Sequence, residues 1–211
     1  RGDDMKYNTS TFYFSHPCPI RHGTLPRESH KDKEIVDYFL KFKETQPNND
    51  VAQHGWRTDS FIHMDHAEIL QELLDQIHLW YCNNICRPRG PEFIAQNIAH
   101  FTDTSELVID ANIWFQESLP GQVCQQHDHG TLARYSWVYY LDVEKDPAPL
   151  TFVERKQVGD EIMNAGEQHL AVHNKMIVMF PSFIHHLVKP AMDKRYILAG
   201  NINDITFGVE K

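Results

Sequence analysis

His127, Asp128 and His129 stand together in the chain, His186 follows 57 to 59 residues after the two histidines, and Arg195 lies nine residues beyond His186. In an extended strand side chains alternate between faces, so His127 and His129 point one way and Asp128 the other. Two imidazoles on one face can grip one metal ion. His186 lies just past the apolar run Met176 to Phe180 and the turn-forming Pro181 and Ser182, where a returning strand would bring in a third ligand. Imidazole suits iron, zinc, copper and nickel, and two or three fixed ligands leave positions open for substrate or oxygen. The pattern therefore predicts a reactive metal centre.

Length and charge bound what surrounds it. A chain of 211 residues can bury one sizeable core, so a single domain over 1–211 is expected. Twenty Lys and Arg against 29 Asp and Glu give a net charge of -9, which argues against a broad nucleic-acid surface. No stretch approaches the length of an apolar membrane span, and the N-terminus lacks the basic-then-apolar pattern of a signal peptide. Cys18, Cys82, Cys86 and Cys124 form no recognisable metal knuckle. They read as free thiols of a reducing, cytoplasmic compartment, with Cys82 and Cys86 as a minor metal or disulfide candidate. A phosphate cradle is excluded by the lack of a Gly-rich Lys-Ser/Thr loop, and Ser136, Ser182 and Cys124 have no nucleophile-elbow context.

The elements that must position these residues fall into two parts: a mostly helical 1–106 and a strand-rich 107–207. The proline-broken aromatic patches in 6–28 read as an edge strand or an extended arm, because proline lacks the donor a central strand needs. Ser29 with Asp32 reads as a helix start, followed by Ile35, Tyr38, Phe39 and Phe42 at helical spacing. Asp65 with Glu68 reads as a capping box before the apolar face Ile69, Leu70, Leu73, Leu74, Ile77 and Tyr81. His66 and His78 are read as surface or packing residues of that helix. A shorter helix or irregular segment is expected over Glu92 to His100. From Leu107 the period changes to that of strands: 107–115, 135–141, 150–153, 169–173, 176–180, 186–188 and 195–207. Many short strands after two helices predict a mainly β protein, a sandwich or jelly roll with the helices packed outside. The two helices offer either a homodimer contact or a brace for the strands.

Several ordered motifs carry a resemblance. Gly55-Trp56-Arg57-Thr58, Asn112-x-Trp114, Gly121, His127-x-His129, Ser136 with Val138-Tyr139-Tyr140-Leu141, Phe180-Pro181-Ser182, His186, Pro190, Arg195 and Asn201 occur in that order. Together they resemble a small, mostly phage and marine-bacterial family of 2-oxoglutarate and Fe(II)-dependent oxygenases related to prolyl hydroxylases. The resemblance implies a double-stranded β-helix of the jelly-roll, cupin-like class, with Fe(II), 2-oxoglutarate and O2 as cofactors. It implies His127 and His186 as iron ligands and Arg195 on the far carboxylate of 2-oxoglutarate, a carboxylate that the planar guanidinium fork suits. His129 stands where the broader superfamily has Asp or Glu, so the third ligand is either His129 or, if a bulge rotates it inward, Asp128. Of Tyr139 and Tyr140, which alternate faces, one fills the core and Tyr139 is the candidate cosubstrate contact. Asn112 is expected near the acid end of the cosubstrate, and Ser182 and Asn201 are expected as supporting donors. Trp114, His169 and His173 are read as scaffold, and His185 as supporting or surface.

The activity implied is hydroxylation coupled to decarboxylation of 2-oxoglutarate, on a peptidyl proline or another protein side chain. Two alternatives stand beside it. One is a three-histidine, cupin-like dioxygenase that binds its substrate directly to iron, with Arg195 on a substrate carboxylate. The other is a non-enzymatic β-sandwich binding module.

Overall fold

The computed structural model describes residues 9–12, 20–46, 50–51, 55–86, 108–130, 133–145, 147–158, 160–190 and 192–204. Two antiparallel sheets make up the β part. The larger contains β1 (Thr9–Phe12), β2 (Ile20–Thr24), β3 (Asp50–Val51), β4 (Gly55–Arg57), β5 (Val108–Ser118), β7 (Tyr135–Val143), β10 (Met176–Pro181) and β12 (Arg195–Asp204), in the order β1-β2-β10-β7-β12-β5-β4-β3. The smaller contains β6 (Cys124–His127), β8 (Leu150–Val158), β9 (Glu161–Leu170) and β11 (His185–Val188), in the order β6-β11-β8-β9. The architecture is the expected mainly β jelly roll with helices outside. The part of the chain before residue 107 also contributes β1 to β4 to the larger sheet, with β1 and β2 on one side and β4 and β3 on the other.

Period-two alternation sorts the long strands into two faces. From β5, β7, β10 and β12, the side chains of Ile113, Phe115, Trp137, Tyr139, Leu141, Ile177, Met179 and Leu198 join one buried cluster. Helices α1 (Ser29–Lys43) and α3 (Ala67–Tyr81) complete that cluster with Ile35, Phe39, Leu70, Leu73, Ile77 and Trp80. The alternate residues Trp114, Tyr140, Val178, Phe180, Ile197 and Ala199 turn the other way. They pack with Leu150, Phe152 and Val188 of the smaller sheet. Two separate apolar layers are buried, one under the helices and one between the sheets, so the larger sheet is packed on both faces.

The helix starts differ from the sequence expectation. Glu28 is the N-cap of α1 and makes no side-chain cap, and Asp32 is buried instead. Asp32 accepts from Arg27 Nε at 2.7 Å and from the Tyr139 hydroxyl at 2.9 Å. Asp65 closes a short helix, α2 (Ile62–Asp65), and α3 begins after His66 without a side-chain cap. Asp32 is taken by tertiary partners and Asp65 falls inside the preceding short helix, so the capping signature misleads at both starts. The strand expected over 169–173 lies earlier, as β9 (Glu161–Leu170). The helix expected over 92–100 falls outside the described residues. No helix among the described residues is long and apolar enough to cross a membrane.

Candidate metal centre

The three histidines meet because their strands are neighbours. β6 pairs antiparallel with β11, and His127 lies directly opposite His186 in that register. Residues facing each other across an antiparallel ladder carry side chains to the same face, and these two imidazole centroids are 4.3 Å apart. His129 arrives by another route. β6 ends at His127, and the chain turns through Gly130 at φ 64°, with the His129 N–H donating to the Ser182 carbonyl at 2.8 Å. The His129 ring stacks on His186 at 5.2 Å between centroids. One ligand atom from each of His127, His129 and His186 lies within 4.8 Å of the others, a grouping that can hold a metal ion.

Asp128 faces away from this group. Its Oδ1 accepts the Gly130 N–H at 2.9 Å, and its Oδ2 lies 2.9 Å from His185 Nε2. Both oxygens are therefore occupied outside the cluster. The inward rotation that would exchange Asp128 for His129 does not occur.

Ring orientation follows from the second nitrogen of each imidazole. His127 Nδ1 lies 2.8 Å from the Gln125 carbonyl and His186 Nδ1 lies 3.0 Å from the Ile184 carbonyl. A carbonyl only accepts, so each Nδ1 carries the proton and each Nε2 lone pair is left for a metal. His129 Nδ1 meets a carboxamide. Asn201 Nδ2 lies 3.3 Å from it and donates to Asn112 Oδ1 at 2.5 Å, while Asn201 Oδ1 accepts from Ser136 Oγ at 2.6 Å. Ser136 Oγ is 3.0 Å from Ser182 Oγ. Turning both amides over keeps every contact, lets His129 Nδ1–H donate to Asn201, and frees Nε2 in the same way.

Burial keeps the His129 and His186 rings neutral. Desolvation, reinforced by the His127 charge, pushes the pKa of His129 down to about 4. Desolvation and His127 likewise push His186 down to about 3. Neutral imidazole is the ligating form, so the site is preset to bind metal rather than protons.

The histidines open into a cavity of about 480 Å³ between the sheets. Arg195, the first residue of β12, lines the same cavity and is 4% exposed. Its Nε and Nη1 are buried without a hydrogen-bond partner among the described residues. Leaving a buried guanidinium unpaired costs roughly several kcal/mol, a cost that an anion entering the cavity would offset. Tyr140 stands beside it, with its hydroxyl pKa pushed up to about 12 by burial, against the pull of Arg195. Tyr140 therefore stays protonated and able to donate.

Here the expectation for Tyr139 is corrected. Its hydroxyl is spent on Asp32 on the helix side of the larger sheet, and Tyr140 is the tyrosine that faces the cavity. Asn112, expected near the acid end of the cosubstrate, and Ser182 and Asn201, expected as supporting donors, form with Ser136 the hydrogen-bond chain behind His129, and these three do not line the cavity. Trp114, expected as scaffold, lines it and stacks on His129 at 5.9 Å between centroids. Arg57, Gln116 and Cys124 also line it. Sequence reasoning passed over these as site residues, although Arg57 lies within one of the ordered motifs.

No family model matches the chain, and no curated protein matches it by sequence. Solved structures do match by fold. A prolyl-4-hydroxylase from Pseudomonas putida aligns with a TM-score of 0.56 and 16% identity, covering 88% of this chain and 92% of that one. A viral collagen prolyl hydroxylase from Paramecium bursaria Chlorella virus-1, in its 2-oxoglutarate complex, gives 0.53 and 8%, covering 88% and 96%. A non-heme alpha-ketoglutarate-dependent carbocyclase from nogalamycin biosynthesis gives 0.58 and 10%, covering 88% and 79%. The chain thus has the fold of the prolyl hydroxylases and related 2-oxoglutarate oxygenases, with three histidines gathered in the cavity between its sheets.

Proposed function

We propose that this protein is a 2-oxoglutarate- and Fe(II)-dependent oxygenase that hydroxylates its substrate, with a peptidyl proline or another protein side chain as the substrate class. The observation that carries this reading is the buried, unpaired Arg195 guanidinium in the same cavity as His127, His129 and His186. A metal site alone suits many chemistries. A metal site that shares a cavity with a carboxylate anchor suits a small diacid. The 2-oxoglutarate complex among the fold neighbours supports the same diacid.

In this reading His127, His129 and His186 hold iron through Nε2, and the carbonyls of Gln125 and Ile184 fix two of the rings. Bound iron supplies oxygen activation coupled to decarboxylation of 2-oxoglutarate, chemistry that side chains cannot provide. Arg195 holds the C5 carboxylate through its planar fork, and Tyr140 donates beside it. Phe180 and Phe152, packed edge to face at 5.1 Å, form an apolar wall near His186 that keeps water away.

The test is an anaerobic Fe(II) titration with and without 2-oxoglutarate, following the weak visible charge-transfer band of the chelate. A band in the wild type that is lost in Arg195→Ala supports the proposal. The all-histidine set, with Asp128 held outside, favours a second reading: a three-histidine dioxygenase that takes no 2-oxoglutarate. Iron binding without that band supports this second reading.

A further inference from the structure

The cavity contains a second guanidinium, to which the oxygenase reading assigns no role. Arg57 lies on β4 opposite Gln116 of β5, with Cζ 5.2 Å from the centroid of the Trp114 ring. Trp114 also stacks on His129, so this charge is held next to the histidine cluster. The strand that carries it is pressed close to β5. Gly55 has φ +90°, and a Cβ there would lie 2.1 Å from the Glu117 carbonyl oxygen, so only glycine permits the approach. Arg57 is half-buried, and among the described residues no carboxylate pairs with it.

Charge balance turns this into a statement about the substrate. The chain carries -9 overall, yet the described residues lining the cavity include two arginines and no acid. Three imidazole ligands add no negative charge, unlike a ligand set that includes a carboxylate. A divalent ion and a dianionic cosubstrate cancel each other, and the charges of Arg57 and Arg195 remain. In a partly dehydrated cavity that excess strongly favours one more anion.

We propose that the substrate oxidised in this cavity carries a carboxylate and that Arg57, seated on Trp114, binds it. The inference rests on the oxygenase reading for the reaction and deepens it by naming the substrate class. A carboxylate comes from an acidic residue of a peptide or from a free small acid, and Arg57 recognises the same group in both. Trp114 holds the guanidinium plane by cation–π contact, which presents its N–H edge to the carboxylate.

The experiment is calorimetric titration of the anaerobic Fe(II) protein, with and without 2-oxoglutarate, using matched probes. N-acetyl amino acids are compared with their primary amides. A blocked tetrapeptide containing Asp-Pro is compared with the same peptide containing Asn-Pro. In the wild type, the acid of at least one pair is expected to bind about tenfold tighter or more. The preference is expected to fall to near unity in Arg57→Gln and to survive largely in Arg57→Lys, with thermal melts checking that both variants fold. Preference in the peptide pair identifies an acidic peptide, and preference in the amino-acid pairs a free acid. Equal binding of acids and amides, binding of no acid, or a preference that persists in Arg57→Gln overturns the assignment. So does loss of the 2-oxoglutarate band in Arg57→Gln, which would make Arg57 the cosubstrate anchor. A wild-type band without acid preference removes this inference and leaves the oxygenase reading intact. An Arg57-dependent acid preference without any band does the reverse.

Discussion

At the three imidazoles, protons and a metal ion compete for the same lone pairs. His129 and His186 titrate at about 4 and about 3, below the 6.5 of the free side chain. Between those values the unfolded chain binds protons that the folded chain refuses. Stability of the metal-free protein therefore falls as pH drops below about 6.5 and levels off once the folded-state values are passed. The loss is expected to be on the order of a few kcal/mol. Urea unfolding across acid pH checks it, with His186→Asn as the comparison that lacks one of these groups. A wild-type profile no steeper than that of the variant would contradict the account. The histidine pair was legible from its spacing, and so was the distal His186. His129 followed from the same alternation, with Asp128 as its alternative; the route was not legible, because β6 stops at His127 and a turn, not a continued strand, brings His129 to the other two.

β12 shows how one strand serves both packing and site. Arg195, Ile197 and Ala199 face the cavity, Leu198 faces the helices, and Asn201 backs His129. The strand shifts register against β5 between Asn201 and Ile202. Gly200 sits just before that shift, where a Cβ would lie 2.7 Å from Trp137 Cζ2 and 2.8 Å from the Asn112 carbonyl oxygen. Gly200→Ala is therefore expected to destabilise the protein by about 1–3 kcal/mol, because a ring and a backbone group must both move. It should also weaken metal binding, since Asn112 and Asn201 move with them. A thermal melt and a metal titration on the same variant measure both effects, and a full-stability variant would show that the neighbours yield easily. Of β7, the apolar alternation was legible. Which of Tyr139 and Tyr140 faces the cavity was not, because either phase of the alternation is apolar enough to bury.

Across the whole molecule, the helix layer and the cavity layer lie on opposite faces of the larger sheet, so they should be separable by mutation. Leu73→Ala, a fully buried change on α3, is expected to cost about 2–5 kcal/mol in chemical denaturation. It should leave the affinity of the folded protein for Fe(II) nearly unchanged, because Leu73 packs in the cluster away from the cavity. A matching loss of affinity would mean that the two layers are coupled through the sheet. The amino-acid sequence by itself determined the mainly β jelly roll with outer helices, the identity of His127, His129, His186 and Arg195, and the order of their motifs. Local period, residue chemistry and spacing carry that information along the chain. Only the tertiary structure decided that Asp128 is held outside by His185, that Tyr140 and not Tyr139 faces the cavity, and that Arg57 stands over Trp114 beside the histidines. Those outcomes depend on strand register and on partners 57 to 107 residues away in sequence, where sheet pairing and not local preference selects the contact.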